Sequence, residues 1–509
     1  MGYQMTDTYK NYIDGEWVTA RSGETFESVE PADTDRVLGQ FQRSTEEDAQ
    51  RAIEAANEAQ EQWQSLSRID RAAYIEEVFK ILEQRTDELG ELVSRECGKE
   101  LSEGKADVVE AIHMLQYAFG NARQPTGEVV ESEIPAKDSY VHRQPAGVVA
   151  SITPWNFPIA IPIWLIAIPL IEGNTVVWKP AEQTPKCAVK LMEVFDEAGI
   201  PDGVINMITG YGEDSGAPLV SSNDVDSVLF TGSAKVGQMI QKDVAVQGDK
   251  QCACEMGGKN AIIVTEDADM DIAVHSAIMS AYKTTGQRCV SAERVLVHED
   301  VIDEFQQRFV SAAEKINYGH PVEDDVFMGP LVDDAQVEKT KEWNQRVRDL
   351  DAAEVLVDRE TDIGEEHADG RFVGPFAYRI EYDDDIDVLH EEVFGPHVAI
   401  MPYSDLDEAI EIHNSVEYGL AMAICTEDYR KARRARQDCE VGLGYVNLPS
   451  IGAEVHLPFG GVKKSGSGIA SGKDIIRAVT HRKAWTVNNE KDIEMAQGLS
   501  ADIFRGSDE

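Results

Sequence analysis

The stretch Gly147-Val148-Val149-Ala150-Ser151-Ile152-Thr153-Pro154-Trp155-Asn156 decides the fold. A short run rich in β-branched residues stops at a proline-containing turn, as a buried strand does when it leaves a sheet. The next segment, Phe157 to Ile171, is the longest apolar run in the chain. It is too short to span a bilayer and contains Pro158, Pro162 and Pro169, so it reads as a buried helix. Strand-like runs then recur at Thr175 to Lys179, Val204 to Ile208, Ser227 to Phe230 and Ala261 to Val264, separated by helix-length segments. This alternation predicts an α/β fold with a parallel, doubly wound sheet whose ligands bind beyond the carboxyl ends of the strands.

Outward from that core, Thr45-Glu46-Glu47-Asp48 has the form of a capping box opening a helix to about Leu66. Tyr74, Val78, Ile81 and Leu82 continue helical spacing, and the first 120 residues read as largely helical. A second alternating region runs from near Asp267 to about Pro458. Gln124 to Arg143 and Val479 to Val487 are polar and strand-like, and together predict an outlying sheet whose open edge needs a partner chain. From Asn488 onward the chain is a polar, acidic tail.

Composition excludes several classes of function. With 509 residues the chain is long enough for two large domains. Its 93 Asp and Glu outnumber 47 Lys and Arg, for a formal charge of -46, and the acids are spread along the chain, as in Glu46-Glu47-Asp48 and Asp383-Asp384-Asp385. Such a field repels a phosphate backbone, so nucleic acid is not an expected partner, and the surface is of the kind that stays soluble in concentrated salt. Seven cysteines, odd in number and irregularly spaced, argue against a disulfide framework and for a reducing, cytoplasmic setting. Cys252 and Cys254 form a C-x-C pair with no second pair at zinc-like spacing, so no metal is expected. The N-terminus lacks a secretory pattern; Met1-Gly2 with Thr6 fits a myristoylation pattern, but no polybasic patch or second lipid site accompanies it, and no membrane association is expected.

The chemistry-bearing blocks follow. Thr285-Gly286-Gln287-Arg288-Cys289 places a cysteine in a polar, glycine-containing turn, where a nucleophile is as reasonable as a structural thiol. Glu255-Met256-Gly257-Gly258-Lys259-Asn260 puts a carboxylate at the end of a strand-like segment beside glycines that admit close approach. Glu255 is either a general base or a solvated surface acid. The Asn156 amide at the sheet's carboxyl edge is either an oxyanion donor or the start of an Asx turn. Asp267, Asp269 and Asp271 have calcium-loop spacing, but Ile272 and Ile278 stand where glycine and glutamate are required, so helix capping is expected. His275 and His320 have no partners at ligand spacing, and structural roles are the expectation.

Taken jointly, Asn156, Lys179, Gly232, Glu255, Cys289 and Glu392, with 34 residues from Glu255 to Cys289, give the chain a resemblance to the aldehyde dehydrogenase superfamily over nearly its whole length. The resemblance implies a Rossmann-like cofactor domain (1–123 and 146–257), a second, catalytic α/β domain (258–458), oligomerisation strands (124–145 and 475–489) and a tail (490–509). It implies Cys289 as nucleophile, Glu255 as base, and the Asn156 side chain with the Cys289 N–H as oxyanion hole. Glu255 also favours hydrolysis of the thioester over transfer to coenzyme A, since acylating relatives lack that base.

Cofactor contacts are implied at Thr153, Pro154, Trp155, Lys179, Glu182, Gly212, Phe230, Gly232, Ser233, Gly257, Glu392 and Phe394. NAD is favoured, because a carboxylate such as Glu182 accepts from a ribose 2'-hydroxyl and repels a 2'-phosphate; NADP stays open. Phe157 and Arg288 are implied as substrate contacts. Arg288 either meets an anionic group of the aldehyde or makes a structural salt bridge. Asn447 to Ser450 and Gly452 to Gly461 resemble the mouth-lining loop of members that oxidise semialdehydes. A broad-specificity enzyme is the alternative, and both a homodimer and a homotetramer fit.

Overall fold

The computed structural model describes residues 7–360, 368–468, 470–491 and 493–498. The Met1-Gly2 and Thr6 pattern and residues 499–509 of the acidic tail lie outside the described residues.

Five parallel strands form the centre of the first sheet, in the order Ile205–Met207, Thr175–Lys179, Val148–Ile152, Ser227–Gly232 and Gln251–Met256. The chain runs outward from Val148–Ile152 in one direction and then returns to build the other half from Ser227–Gly232. The topological switch point therefore lies between those two strands, where a parallel sheet opens a crevice at its carboxyl edge. The helix Ala160–Glu172 covers the sheet and is buried almost throughout, with Gly173 at φ 94° ending it. Ile163, Leu165, Ile166, Ile168 and Leu170 vanish into this core, each contributing about 1.5–3 kcal/mol.

Two expectations are corrected. Residues 11–42 are not helical: they form Asn11–Ile13, Glu16–Val18, Thr25–Glu30 and Asp33–Gln42. Asp14 and Gly15, at φ 54° and 75°, turn the first pair into a two-residue hairpin that extends the sheet beyond Ile205–Met207. The Asp-Gly dipeptide is the hairpin signal that helical periodicity further along the chain overshadowed. Ala261 to Val264 does form a strand, Asn260–Val264, but in the second sheet. Gln251–Met256 takes the place in the first sheet that was expected of Ala261 to Val264, and Gly257-Gly258-Lys259 carries the chain across.

The second sheet runs Glu354–Asp358, Phe376–Arg379, His397–Tyr403, Ala292–His298, Asn260–Val264, Ala421–Cys425 and Leu443–Val446, parallel except at its first strand. The last fifth of the chain returns to the first sheet, where Gly466–Ser467 pairs antiparallel with Gln251–Met256. Thr480–Asn488 then pairs with Lys137–Pro145, which pairs with Glu128–Val130. This is the predicted outlying sheet, with Val129 92% and Trp485 45% exposed. Thr45 opens the helix Glu46–Ser65, its N–H donating to Asp48 Oδ2 at 3.0 Å as the capping box requires. Among the described residues no helix is long and apolar enough to cross a membrane.

Candidate active site

A cavity of about 230 Å³ opens at the switch point. Pro154, Trp155, Asn156 and Phe157 enter it from the end of Val148–Ile152, and Thr231, Gly232 and Ser233 from the end of Ser227–Gly232. Ser233 caps the helix Ala234–Ala245 by accepting from the Val236 N–H, so a positive helix end stands at the wall. Glu255, Gly257, Arg288, Cys289, Glu392 and Phe394 complete the walls, with Gly452, Ala453 and Phe459 from the predicted mouth loop. The cavity thus lies between the carboxyl edge of the first sheet and the loops that feed the second.

The loop that carries Cys289, the candidate nucleophile, is wound against its own preferences. Thr284, Thr285 and Gly286 sit at φ 55°, 57° and 72°, a left-handed run that β-branched residues resist at about 1–3 kcal/mol each. Glu103 holds it by accepting from the Thr284 N–H at 3.1 Å and its hydroxyl at 2.7 Å, while the Thr285 hydroxyl donates to the Gly329 carbonyl at 2.8 Å. A Cβ on Gly286 would lie 2.0 Å from the Gly395 carbonyl oxygen, so only glycine fits. Asn260 pins the far side, its amide donating to the Cys289 and Ser291 carbonyls at 2.7 and 2.8 Å and accepting from the Ala421 N–H. Cys289 is thereby presented half-buried on a fixed backbone. Burial pushes its thiol up to about 12, the charges of Glu392 and Glu255 adding to the rise and Arg288 opposing it.

The Asn156 amide donates to the Gln287 carbonyl at 3.0 Å, which ties the candidate oxyanion donor to the nucleophile loop. Glu255 ends the strand Gln251–Met256 and is only 4% exposed. Long contacts from the Gly461 and Ala470 N–H groups, both 3.3 Å, leave its charge poorly compensated. Burial therefore drives its carboxyl up to about 8. An acid poised there is a stronger base, once ionised, than an ordinary carboxylate.

Glu392 accepts from the Gly258 N–H at 2.9 Å, and a Cβ on Gly257 would sit 2.2 Å from the Glu392 carboxylate oxygens. Close approach, not flexibility, thus explains the Gly-Gly pair. Beneath it, Lys259 and Glu293 form a buried ion pair at 2.6 Å. Glu293 also accepts from the Val393 and Phe394 N–H groups, and Lys259 donates to the Glu391 carbonyl. Phe394, at φ 62°, then meets Trp155 edge to face at 5.6 Å.

Arg288 donates to Glu103 at 2.5 Å and to Thr284 Oγ1 at 2.7 Å, so the structural salt bridge is formed while the side chain still lines the cavity. Burial works to raise the Glu103 pKa, but the charges of Arg288 and Lys283 and the hydrogen bonds from Thr284 and Arg288 hold it below the usual range.

Five expected contacts do not line the cavity. Phe230 is buried in the core, Thr153 accepts from Trp178 Nε1 at 2.9 Å, and Gly212 begins the turn Gly212–Gly216. Lys179 and Glu182 pair with each other at 3.0 Å beyond the cavity rim. Sequence reasoning missed the supporting shell: Lys259 and Asn260 stand inside a quoted block without a signal of their own, and Glu293 and Glu103 have none. Asp269 caps the helix Met270–Tyr282, accepting from Asp271 and Ile272 N–H groups, as expected. His320 pairs with Glu30 at 2.8 Å, and His275 is exposed.

Residues 17–485 match the model of the aldehyde dehydrogenase family. The chain is 36% identical over 461 residues to alpha-ketoglutaric semialdehyde dehydrogenase of Bacillus subtilis, covering 91% of this chain and 94% of that protein. It is 38% identical over 463 residues to alpha-ketoglutarate semialdehyde dehydrogenase of Haloferax volcanii, covering 91% and 95%. In three dimensions it is similar to betaine aldehyde dehydrogenase of Staphylococcus aureus, solved in complex with NAD+, with a TM-score of 0.92, 31% identity and 97% of each chain covered. A half-buried cysteine on a strained loop, a buried carboxylate and a helix-capped crevice between two sheets are thus joined by similarity along almost the entire length, and the chain belongs to the aldehyde dehydrogenase family.

Proposed function

We propose that the protein oxidises an anionic semialdehyde to the carboxylic acid with NAD, through a thioester on Cys289 that water hydrolyses with Glu255 as general base. The observation that carries this reading is the convergence of Cys289, Glu255, Asn156, Gly232, Ser233 and Glu392 on one cavity. The residues fit a dinucleotide: the Ser233-capped helix end suits a pyrophosphate, Glu182 beside Lys179 suits ribose hydroxyls, and the Gly257 gap lets Glu392 approach. NAD, when bound, supplies the two-electron acceptor that converts the thiol adduct of the aldehyde into a thioester.

The chain's own part is positional and acid–base. The Cys289 thiol first passes its proton to Glu255 or to water, which burial makes costly, and Sγ then bonds to the carbonyl carbon as the C=O π bond opens to an alkoxide. The Asn156 amide and the Cys289 N–H are the donors for the alkoxide oxygen, and losing such a donor costs about 3 kcal/mol of barrier. In the second half, Glu255 takes a proton from water as water attacks the thioester, breaking the C–S bond and returning the thiol. Because burial lifts Glu255 to about 8, hydrolysis gains speed as pH rises toward that value and levels off above it.

The anionic substrate is supported by Arg288 at the cavity wall and by two semialdehyde-oxidising relatives. The exposed outlying sheet, with Val129, Val130 and Trp485 uncovered, supports a homodimer or homotetramer, which light scattering in molar salt tests. The unpaired thiols of all seven cysteines suit a reducing cytoplasm.

The test is NADH absorbance in molar potassium chloride with 2,5-dioxopentanoate, pentanal, and pentanal with coenzyme A. Turnover strongest with the anionic aldehyde is expected, absent in Cys289→Ala. Glu255→Gln should give a burst of NADH followed by turnover slowed roughly a hundredfold or more. Full turnover by Cys289→Ala, or product formed only with coenzyme A, would overturn the mechanism; equal KM increases for both aldehydes in Arg288→Ala would remove Arg288 from anion recognition.

A further inference from the structure

Glu103, Asp107 and Glu110 lie four and three residues apart on one face of the helix Leu101–Asn121. Two of them are matched to cations. Glu103 holds Arg288, and Asp107 pairs with the buried Lys99 at 3.0 Å while accepting from the Ala160 N–H at 2.7 Å. Both cations flank Phe157, with Lys99 Nζ 3.3 Å and Arg288 Cζ 5.2 Å from the ring centroid. Three carboxylates thus face two cations, and the remainder is Glu110. It lines the cavity, yet makes no hydrogen bond or ion pair among the described residues. Trp164, on the neighbouring helix Ala160–Glu172, lines the same cavity, and its buried Nε1–H has no acceptor among the described residues.

The Trp164 Nε1–H is buried without a partner among the described residues, and Glu110, half-buried on the same wall, has its carboxyl free to meet a ligand. We propose that Glu110 is a specificity-determining residue that acts in its protonated form, donating a hydrogen bond to the distal carboxylate of an acid-bearing aldehyde beside Arg288. This rests on the anionic-semialdehyde reading given above. The charges that bear on Glu110 are those of Asp107, Lys99 and Arg288, with the Tyr445 hydroxyl also sensing it from the strand Leu443–Val446. Burial first, and then Asp107, raise its carboxyl to about 7, so the donor form is accessible near neutral pH. An ionised Glu110 repels the same carboxylate that the protonated form receives. Binding an anion therefore requires the proton, and affinity falls with pH once the free enzyme has lost it.

The decisive quantity is the ratio of KM for 2,5-dioxopentanoate to KM for pentanal, between about pH 6.5 and 8.5, in molar salt with NAD; taking the ratio cancels the titration of Glu255. For the wild type the ratio should climb toward tenfold per pH unit above about 7. In Glu110→Gln, which keeps a donor and cannot ionise, it should stay flat and lie roughly thirtyfold below wild type at about pH 8.5. A wild type that prefers the anion, with a pH profile that Glu110→Gln leaves unchanged, would overturn the role of Glu110 and spare the substrate reading. A wild type that takes both aldehydes equally at every pH would overturn both. Should the variant fail to fold, a wild-type ratio that is flat or falls with pH overturns the proposal alone.

Discussion

Glu110, in the wall of the cavity, and Glu293, buried behind it, are carboxylates with opposite surroundings. Glu293 is saturated: Lys259 neutralises it, and two backbone N–H groups of the Val393-Phe394 turn donate to it. Glu110, across the cavity, has the open space in front of it and no partner at its oxygens. The saturated region holds backbone in place, including the left-handed Phe394, and offers any ligand the same surface each time. The unsaturated region, with Glu110 and Trp164 Nε1 lining the same cavity, is complete only when something else supplies the missing groups. A site that keeps one partner constant and chooses the other has reason to be built in two such halves.

The largest effect should come from breaking the saturated half. Lys259→Met leaves Glu293 buried without its counter-ion, and chemical denaturation should show a loss of about 3–5 kcal/mol. A loss below about 1 kcal/mol would mean that the pair is dispensable and that the contrast fails.

Next comes Glu110→Gln, read as stability. The folded-state pKa of Glu110 is raised, to about 7 from the usual 4.5, so the folded protein holds this proton more tightly than the unfolded chain. Its ionisation weakens the fold progressively as pH rises from about 4.5 to 7, and the deficit then stays constant. The variant should match wild type at about pH 5 and exceed it by roughly 2–3 kcal/mol at pH 8 in denaturant melts. Equal stability at both pH values would show that Glu110 is paired in solution.

The smallest effect is expected for Trp164→Phe. Removing a buried N–H that has no acceptor offsets part of the lost packing, and the melting shift should stay within about 1 kcal/mol. A loss several times larger would reveal an acceptor for that N–H.

Legibility in the sequence divides along the same line. Placement that follows from strand order was partly legible: of the expected contacts at the ends of Val148–Ile152 and Ser227–Gly232, Pro154, Trp155, Gly232 and Ser233 line the cavity while Thr153 and Phe230 do not. Cys289, Glu255 and Asn156 converge as their blocks implied. Residues that act through long-range pairing were invisible, because a carboxylate such as Glu103 looks like its many solvated neighbours until the fold brings Thr284 to it, 181 residues away. The hairpin at Asp14-Gly15 was missed for a different reason, since strands of three residues carry too little periodicity to compete with the helices that follow.

Glu255 sits on a strand whose outer neighbour, Gly466–Ser467, belongs to the last fifth of the chain. The N–H groups that reach the carboxylate come from Gly461 and from Ala470, which lies 215 residues downstream. During synthesis at about 5–20 residues per second, Glu255 is therefore made roughly 10–40 s before the segment that encloses it. Glu255 and Cys289 are both synthesised while the cavity is still open on one side. The enclosure of Glu255 therefore arrives with the closing strand and not with the residues it covers.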